Sequence, residues 1–132
     1  MNLNLKDKVA LITGGTHGIG RSIALALADE GCKVAVCSRT ESRISETIYA
    51  LKERKVECLG IQADVMYKSD IERVFKKVID CWQTIHILVN CVGGGGRWGK
   101  EKVEETEERV FFDVYCKNAL AATRFTLLAI PY

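Results

Sequence analysis

The segment Thr13-Gly14-Gly15-Thr16-His17-Gly18-Ile19-Gly20 sets four glycines directly after a short apolar run and directly before a helical pattern. Glycine at such a junction allows a tight turn, lets the backbone approach a pyrophosphate, and permits close packing of helix on strand. The helix that follows presents unpaired N–H groups and a partial positive charge to phosphate oxygens. A glycine cluster alone is also what an ordinary turn looks like; the strand before it and the helix after it favour a phosphate loop. About twenty residues further on, a dinucleotide site presents either a carboxylate to the ribose hydroxyls of NAD or an arginine to the 2′-phosphate of NADP. Here that place holds Ser38-Arg39. Arg39 offers a fork of donors to a phosphate, so NADP(H) is expected over NAD(H), a solvated Arg39 beside an NAD site being the alternative.

These groups need a frame, and the hydrophobic pattern supplies one. Residues 8–13 read as a strand, and residues 19–30 as a helix with Ile19, Ile23 and Leu27 on one face and Gly31 as its stop. Residues 33–38 form a second apolar run, followed by Ile44, Ile48 and Leu51 at helical spacing with Thr40 as N-cap. The third unit pairs residues 57–62 with a helix bearing Ile71, Val74, Phe75 and Val78, opened by Ser69 and Glu72 at capping-box spacing. Residues 85–91 are almost uninterruptedly apolar, as in a strand buried on both faces of a parallel sheet. Beyond four glycines at 93–96, Thr106 is a candidate cap for one long helix carrying Val110, Val114, Ala121, Phe125 and Leu128. The acidic cluster of residues 101–108 reads as a solvated helix start, not a metal site. Alternating strands and helices predict a single α/β domain over residues 1–132, with a parallel sheet covered by helices on both faces.

The glycine spacing is T-G-x-x-x-G-I-G rather than G-x-G-x-x-G, and with it the whole chain resembles the short-chain dehydrogenase/reductase family. The resemblance implies a Rossmann-type doubly wound sheet of strand order 3-2-1-4. It also implies a cofactor-binding set formed by Gly14, Thr16, His17, Gly18, Ile19, Gly20, Ser38, Arg39, Asp64, Val65, Asn90 and Gly93. In that set Asp64-Val65 would meet the adenine, Asn90-Cys91-Val92-Gly93 stands for the family's N-N-A-G motif with its middle two residues replaced, and His17 lies where NADP-using members often carry a basic residue. Asn118 falls where the family places the asparagine of its catalytic tetrad. Each of these has a plainer reading: Asp64 as a strand-end turn residue, Asn90 as a polar tie between strands, Asn118 as a helix polar residue.

Composition narrows the remaining classes. A hydrophobic share of 48%, a charged share of 27% and one proline describe a globular chain. A net charge of +2 with scattered basic residues gives no face for nucleic acid. Neither end carries a signal or membrane segment, which leaves a cytoplasmic protein as the expectation. The six cysteines, Cys32, Cys37, Cys58, Cys81, Cys91 and Cys116, are widely spaced, mostly within apolar runs, and read as buried thiols with no metal role.

The family to which this sequence is similar moves hydride between a nicotinamide and a carbonyl or alcohol substrate. Its tyrosine exchanges the proton, a lysine four residues on lowers the phenol's pKa, and a serine steadies the substrate oxygen. No Tyr-x-x-x-Lys occurs here: Tyr49 is followed by Glu53, Tyr67 by Ile71 and Tyr115 by Ala119, and Tyr132 is last. Of the four catalytic positions only Asn118 is expected within these residues. Two readings follow: an NADP(H)-dependent oxidoreductase incompletely represented, inactive as these 132 residues, or a non-catalytic dinucleotide-binding module. A truncated sheet would leave its fourth strand as an open edge and favour self-association, with homo-oligomerisation left open. Arg97-Trp98-Gly99 after the glycine run reads as a surface loop, or as a wall against which a substrate stacks on Trp98.

Overall fold

The computed structural model describes residues 1–94 and 102–132. Strand β1, Val9–Thr13, is buried at every position, as its unbroken apolar run requires. It lies at the middle of a four-stranded parallel sheet of order β3-β2-β1-β4, with β2 at Lys33–Ser38, β3 at Cys58–Gln62 and β4 at Ile87–Asn90. The α/β class and the strand order match the expectation. The chain builds outward from β1 to β3, then crosses back to place β4 on β1's other side. That reversal opens a crevice at the carboxyl ends of β1 and β4, the usual place for a ligand in such sheets.

Successive side chains of a strand point to opposite faces, and the core divides accordingly. Val9 and Leu11 face α3 (Lys68–Trp82) and α5 (Ala121–Ala129), packing with Ile71, Val74, Val78 and Phe125. Ala10 and Ile12 face α1 (Gly18–Asp29) and α2 (Glu41–Glu53), packing with Ala24, Ala28 and Leu51. Gly31 ends α1 as expected: at φ +82° it lets the Gly31 and Cys32 N–H groups bond back to the Ala28 and Leu27 carbonyls and turns the chain into β2.

Several expectations need correction. Ile19 is 77% exposed, and α1 instead turns Gly20, Ala24 and Ala28 inward. This stripe of small residues lets α1 lie close against the loop that feeds it, with Ile23 and Leu27 half-buried at its flanks. The Ser69/Glu72 capping box does not form, because α3 begins two residues earlier with Tyr67 as its N-cap; Glu72 pairs with Lys68 at 3.6 Å. Thr40 does occupy the N-cap of α2, without a side-chain capping bond. Thr106 closes a short 3₁₀ turn (Val103–Glu105), so α4 (Glu108–Tyr115) is capped by Glu107. The long helix does run unbroken from Glu108 to Ala129, but a π-helical turn at Cys116–Leu120, entered and left in right-handed helical geometry, divides it into α4 and α5. Strand β4 is only half-buried along Ile87, Leu88 and Val89, since among the described residues it has a strand neighbour on the β1 side alone.

Among the described residues no helix is long and apolar enough to cross a membrane, and no cluster of His, Cys, Asp or Glu is arranged to hold a metal ion. All six cysteines are free; Cys32, Cys37 and Cys116 are buried, Cys58 and Cys91 half-buried, and Cys81 exposed on α3's outer face. Glu104, Glu105, Glu107 and Glu108 are exposed, and Glu101 lies outside the described residues.

Candidate functional site

The loop after β1 is held by three fixtures. The Gly14 N–H donates to the Cys37 carbonyl at the end of β2, 3.0 Å away. The Thr13 hydroxyl, buried at the strand end, donates to the Val89 carbonyl at 3.4 Å and accepts the Cys91 N–H at 3.1 Å, tying the loop to the turn after β4. A Cβ on Gly15 would meet Val36 Cγ1 at 2.6 Å, and one on Gly20 would collide with the Gly14 carbonyl oxygen. Both glycines are therefore steric necessities, Gly15 where the loop lies against Val36 of β2 and Gly20 where α1 lies against the loop. Gly18 differs: it has φ +50°, and a Cβ there would meet nothing within 4 Å. That open space lies at the first residue of α1, whose N-cap, His17, makes no side-chain capping bond. The first N–H groups of α1 thus keep their capacity for an anion.

Opposite this loop, the ends of β2 and β3 are pinned by side chains. Ser38 Oγ accepts the Thr40 N–H at 3.3 Å, and the Gln62 side-chain amide donates to the Arg39 carbonyl at 3.0 Å. After β3, Asp64 Oδ1 accepts the Met66 N–H at 3.0 Å, while Asp70 reaches back from the first turn of α3 so that its Oδ2 accepts the Asp64 N–H at 2.8 Å. That N–H and the Arg73 guanidinium hold the Asp70 carboxyl below the ordinary aspartate range. Cys37, between the two walls, has its thiol pushed up to about 12 by burial, so it is an inert packing group.

On the third side Asn118, in the π turn, clamps the backbone after β4. Its Oδ1 accepts the Gly94 N–H at 2.8 Å and its Nδ2 donates to the Gly94 carbonyl at 2.9 Å, with a further bond to the Val114 carbonyl at 2.9 Å. A Cβ on Gly93 would come within 3.0 Å of Asn118 Oδ1. Widened π turns of this kind recur at functional positions in helices.

These walls enclose a cleft of about 240 Å³ lined by Gly14, Thr16, His17, Ser38, Arg39, Asp64, Val65 and Gly93, with Cys37, Arg43, Met66 and Lys117 beside them. A larger open groove of about 680 Å³ runs along the outer side of β4, between Ile87 and Ile130, away from the glycine loop.

A model of the short chain dehydrogenase family matches residues 8–132. The chain belongs to that family. It is 38% identical over 88 residues to the 3-oxoacyl-acyl-carrier-protein reductase FabG of Staphylococcus epidermidis, covering 66% of this chain and 36% of that one. It superposes on the L-sorbose reductase of Gluconobacter frateurii, solved with NADPH and L-sorbose, with a TM-score of 0.93 at 30% identity, over 99% of this chain and 49% of that one. With the NADH-dependent reductase A1-R′, solved with NAD, the TM-score is 0.90 at 27% identity, over 99% of this chain and 54% of the other. The chain thus spans half or less of the length of the first two and just over half of the third.

Of the residues expected to meet a cofactor, eight line the cleft together, and Gly18, Ile19 and Gly20 open α1 at its rim. Asn90 does not join them: its side chain donates to the Thr126 hydroxyl at 3.4 Å and lines the outer groove. Asn118 supports the Gly93-Gly94 backbone rather than lining the cleft. Sequence reasoning passed over Arg43 and Lys117, each set in a helix beside the cleft, and Thr13, whose only signal is a hydroxyl ending an apolar strand. Gly95, Gly96, Arg97, Trp98 and Gly99 lie outside the described residues.

Proposed function

We propose that residues 1–132 form one dinucleotide-binding unit of an NADP(H)-dependent oxidoreductase acting on a carbonyl or alcohol substrate in the cytoplasm, where its free thiols stay reduced. The observation that carries this reading is the cleft's electrostatics. Ser38 stands where a carboxylate would serve NAD, and Arg39 beside it makes no ion pair among the described residues. One relative was solved with NADPH and another with NAD, so the choice of cofactor falls to this chain's own residues. The site fits a dinucleotide: the Gly18 gap and the open start of α1 suit a pyrophosphate, and Asp64 and Val65 form a ledge for an adenine. When bound, the nicotinamide supplies or accepts the hydride. The chain's residues bind and orient it: the α1 N–H groups and Arg39 hold phosphates, and Asn118 keeps the Gly93-Gly94 backbone in place at the far end.

The 132 residues contain no Tyr-x-x-x-Lys pair to move the substrate proton, so we expect binding without turnover. Calorimetric titration at fixed salt tests the reading. NADPH is expected to bind roughly ten times more tightly than NADH, and Arg39→Ala to erase that difference. Tighter binding of NADH, with Arg39→Ala neutral toward both, would overturn the cofactor assignment. Carbonyl-dependent NADPH oxidation by these residues alone would overturn the expectation of no turnover.

A further inference from the structure

We propose that Arg43 is a second specificity-determining residue, which together with Arg39 grips a phosphomonoester on the adenosine ribose of the cofactor. The proposal rests on the NADP(H) reading above and deepens it, because it makes the discrimination depend also on a residue outside the β2 end.

Arg43 lines the same cleft as Ser38 and Arg39. It is the third residue of α2, a helix opened by Thr40 without a side-chain cap. The first turn of a helix carries partial positive charge and favours acidic side chains, so a guanidinium there is unfavourably placed unless an anion answers it. None does within the described residues. Glu46, three positions on and within reach along the helix surface, forms no ion pair with Arg43. Among the described residues Asp64 is the one carboxylate lining the cleft, and its Oδ1 is engaged by the Met66 N–H. Two guanidinium groups therefore line one cleft with no ion-pair partner among the described residues, which is the arrangement a dianionic phosphomonoester needs and a ribose hydroxyl does not.

The backbones that present the two arginines are fixed. The Arg39 carbonyl accepts from Gln62, and the Arg43 carbonyl accepts the Thr47 hydroxyl at 2.8 Å. Ile44, next to Arg43, is buried over Gly60, where any Cβ would collide with the Ile44 side chain, so α2 sits close on β3. Arg43 itself is exposed, and its replacement leaves these contacts intact.

Binding of NADPH, NADH, 2′-AMP and 5′-AMP is measured for the parent chain, Arg39→Ala, Arg43→Ala, Arg43→Lys and the double alanine variant, with thermal melts confirming that each is folded. Arg43→Ala is expected to weaken NADPH and 2′-AMP about tenfold and NADH and 5′-AMP less than about twofold. Arg43→Lys, which keeps the charge but loses the fork, is expected to fall between. If Arg39→Ala removes the preference for NADPH while Arg43→Ala weakens all four ligands equally or none, the role of Arg43 is refuted and the NADP(H) reading stands. If the parent chain prefers NADH and 5′-AMP, both fall together.

Discussion

Gly20 decides whether the loop after β1 can close, because a methyl group in its place would collide with the Gly14 carbonyl oxygen. Gly20→Ala is expected to cost about 1–3 kcal/mol, the range for forcing extra volume into a packed region, and to abolish dinucleotide binding. Urea unfolding and NADPH titration check both effects; an unchanged midpoint would show that the loop yields without loss. Gly20 was legible in the sequence because its need is local, arising from a helix that starts where a strand ends. Asn90 shows where such legibility stops. It stands at the end of β4 with Gly93 three residues on, yet the direction of a side chain at a strand end depends on the sheet's twist and on α5, which carries Thr126. Arg43 was passed over for a related reason: only the packing of α2 on β3 brings a first-turn arginine alongside a residue four positions earlier.

At the level of elements, the three strand–helix units could be read from periodicity, since each buries one face on a common sheet. Their boundaries could not. Helix α3 starts where the turn after β3 allows, and the acid that secures that start is Asp70, not the Ser69/Glu72 pair. The π turn at Cys116–Leu120 left no mark in the hydrophobic pattern, because seven residues separate Val114 from Ala121 and an ordinary helix would keep them in phase. Asp70 also gives α3 a pH dependence. Its carboxyl is held low in the folded chain by the Asp64 N–H and then by Arg73. The stability it lends is complete above the ordinary aspartate value of about 4 in the unfolded chain, and it is lost as pH falls through the lower folded value. Asp70→Asn is expected to melt at lower temperature than the parent near neutral pH, with the gap narrowing as the pH is lowered toward 3. Parallel melting curves across that range would show that the carboxylate is not what anchors the turn.

For the whole molecule, the strand order followed from the family resemblance, whereas the exposure of its surfaces did not. An unbroken apolar run predicted that β4 would be covered on both faces, but burial depends on what lies beside a strand. Ile130 is 71% exposed beside the open groove along β4 and Phe112 of α4 is 63% exposed, so with the half-buried β4 they leave much apolar surface in water. The sedimentation coefficient of the chain is accordingly expected to rise with concentration. The double substitution Phe112→Ser with Ile130→Ser is expected to reduce that rise while changing stability by less than about 0.5 kcal/mol, as for other exposed positions. A concentration-independent parent would refute the expectation. The Thr13 hydroxyl has a consequence on this scale too. It is one oxygen shared by the loop after β1 and the turn after β4, so the cleft's two rims are set against each other like the jaws of a calliper with a single pivot. A displacement of β4, however caused, would change the width of the cleft before any residue in it had moved on its own account.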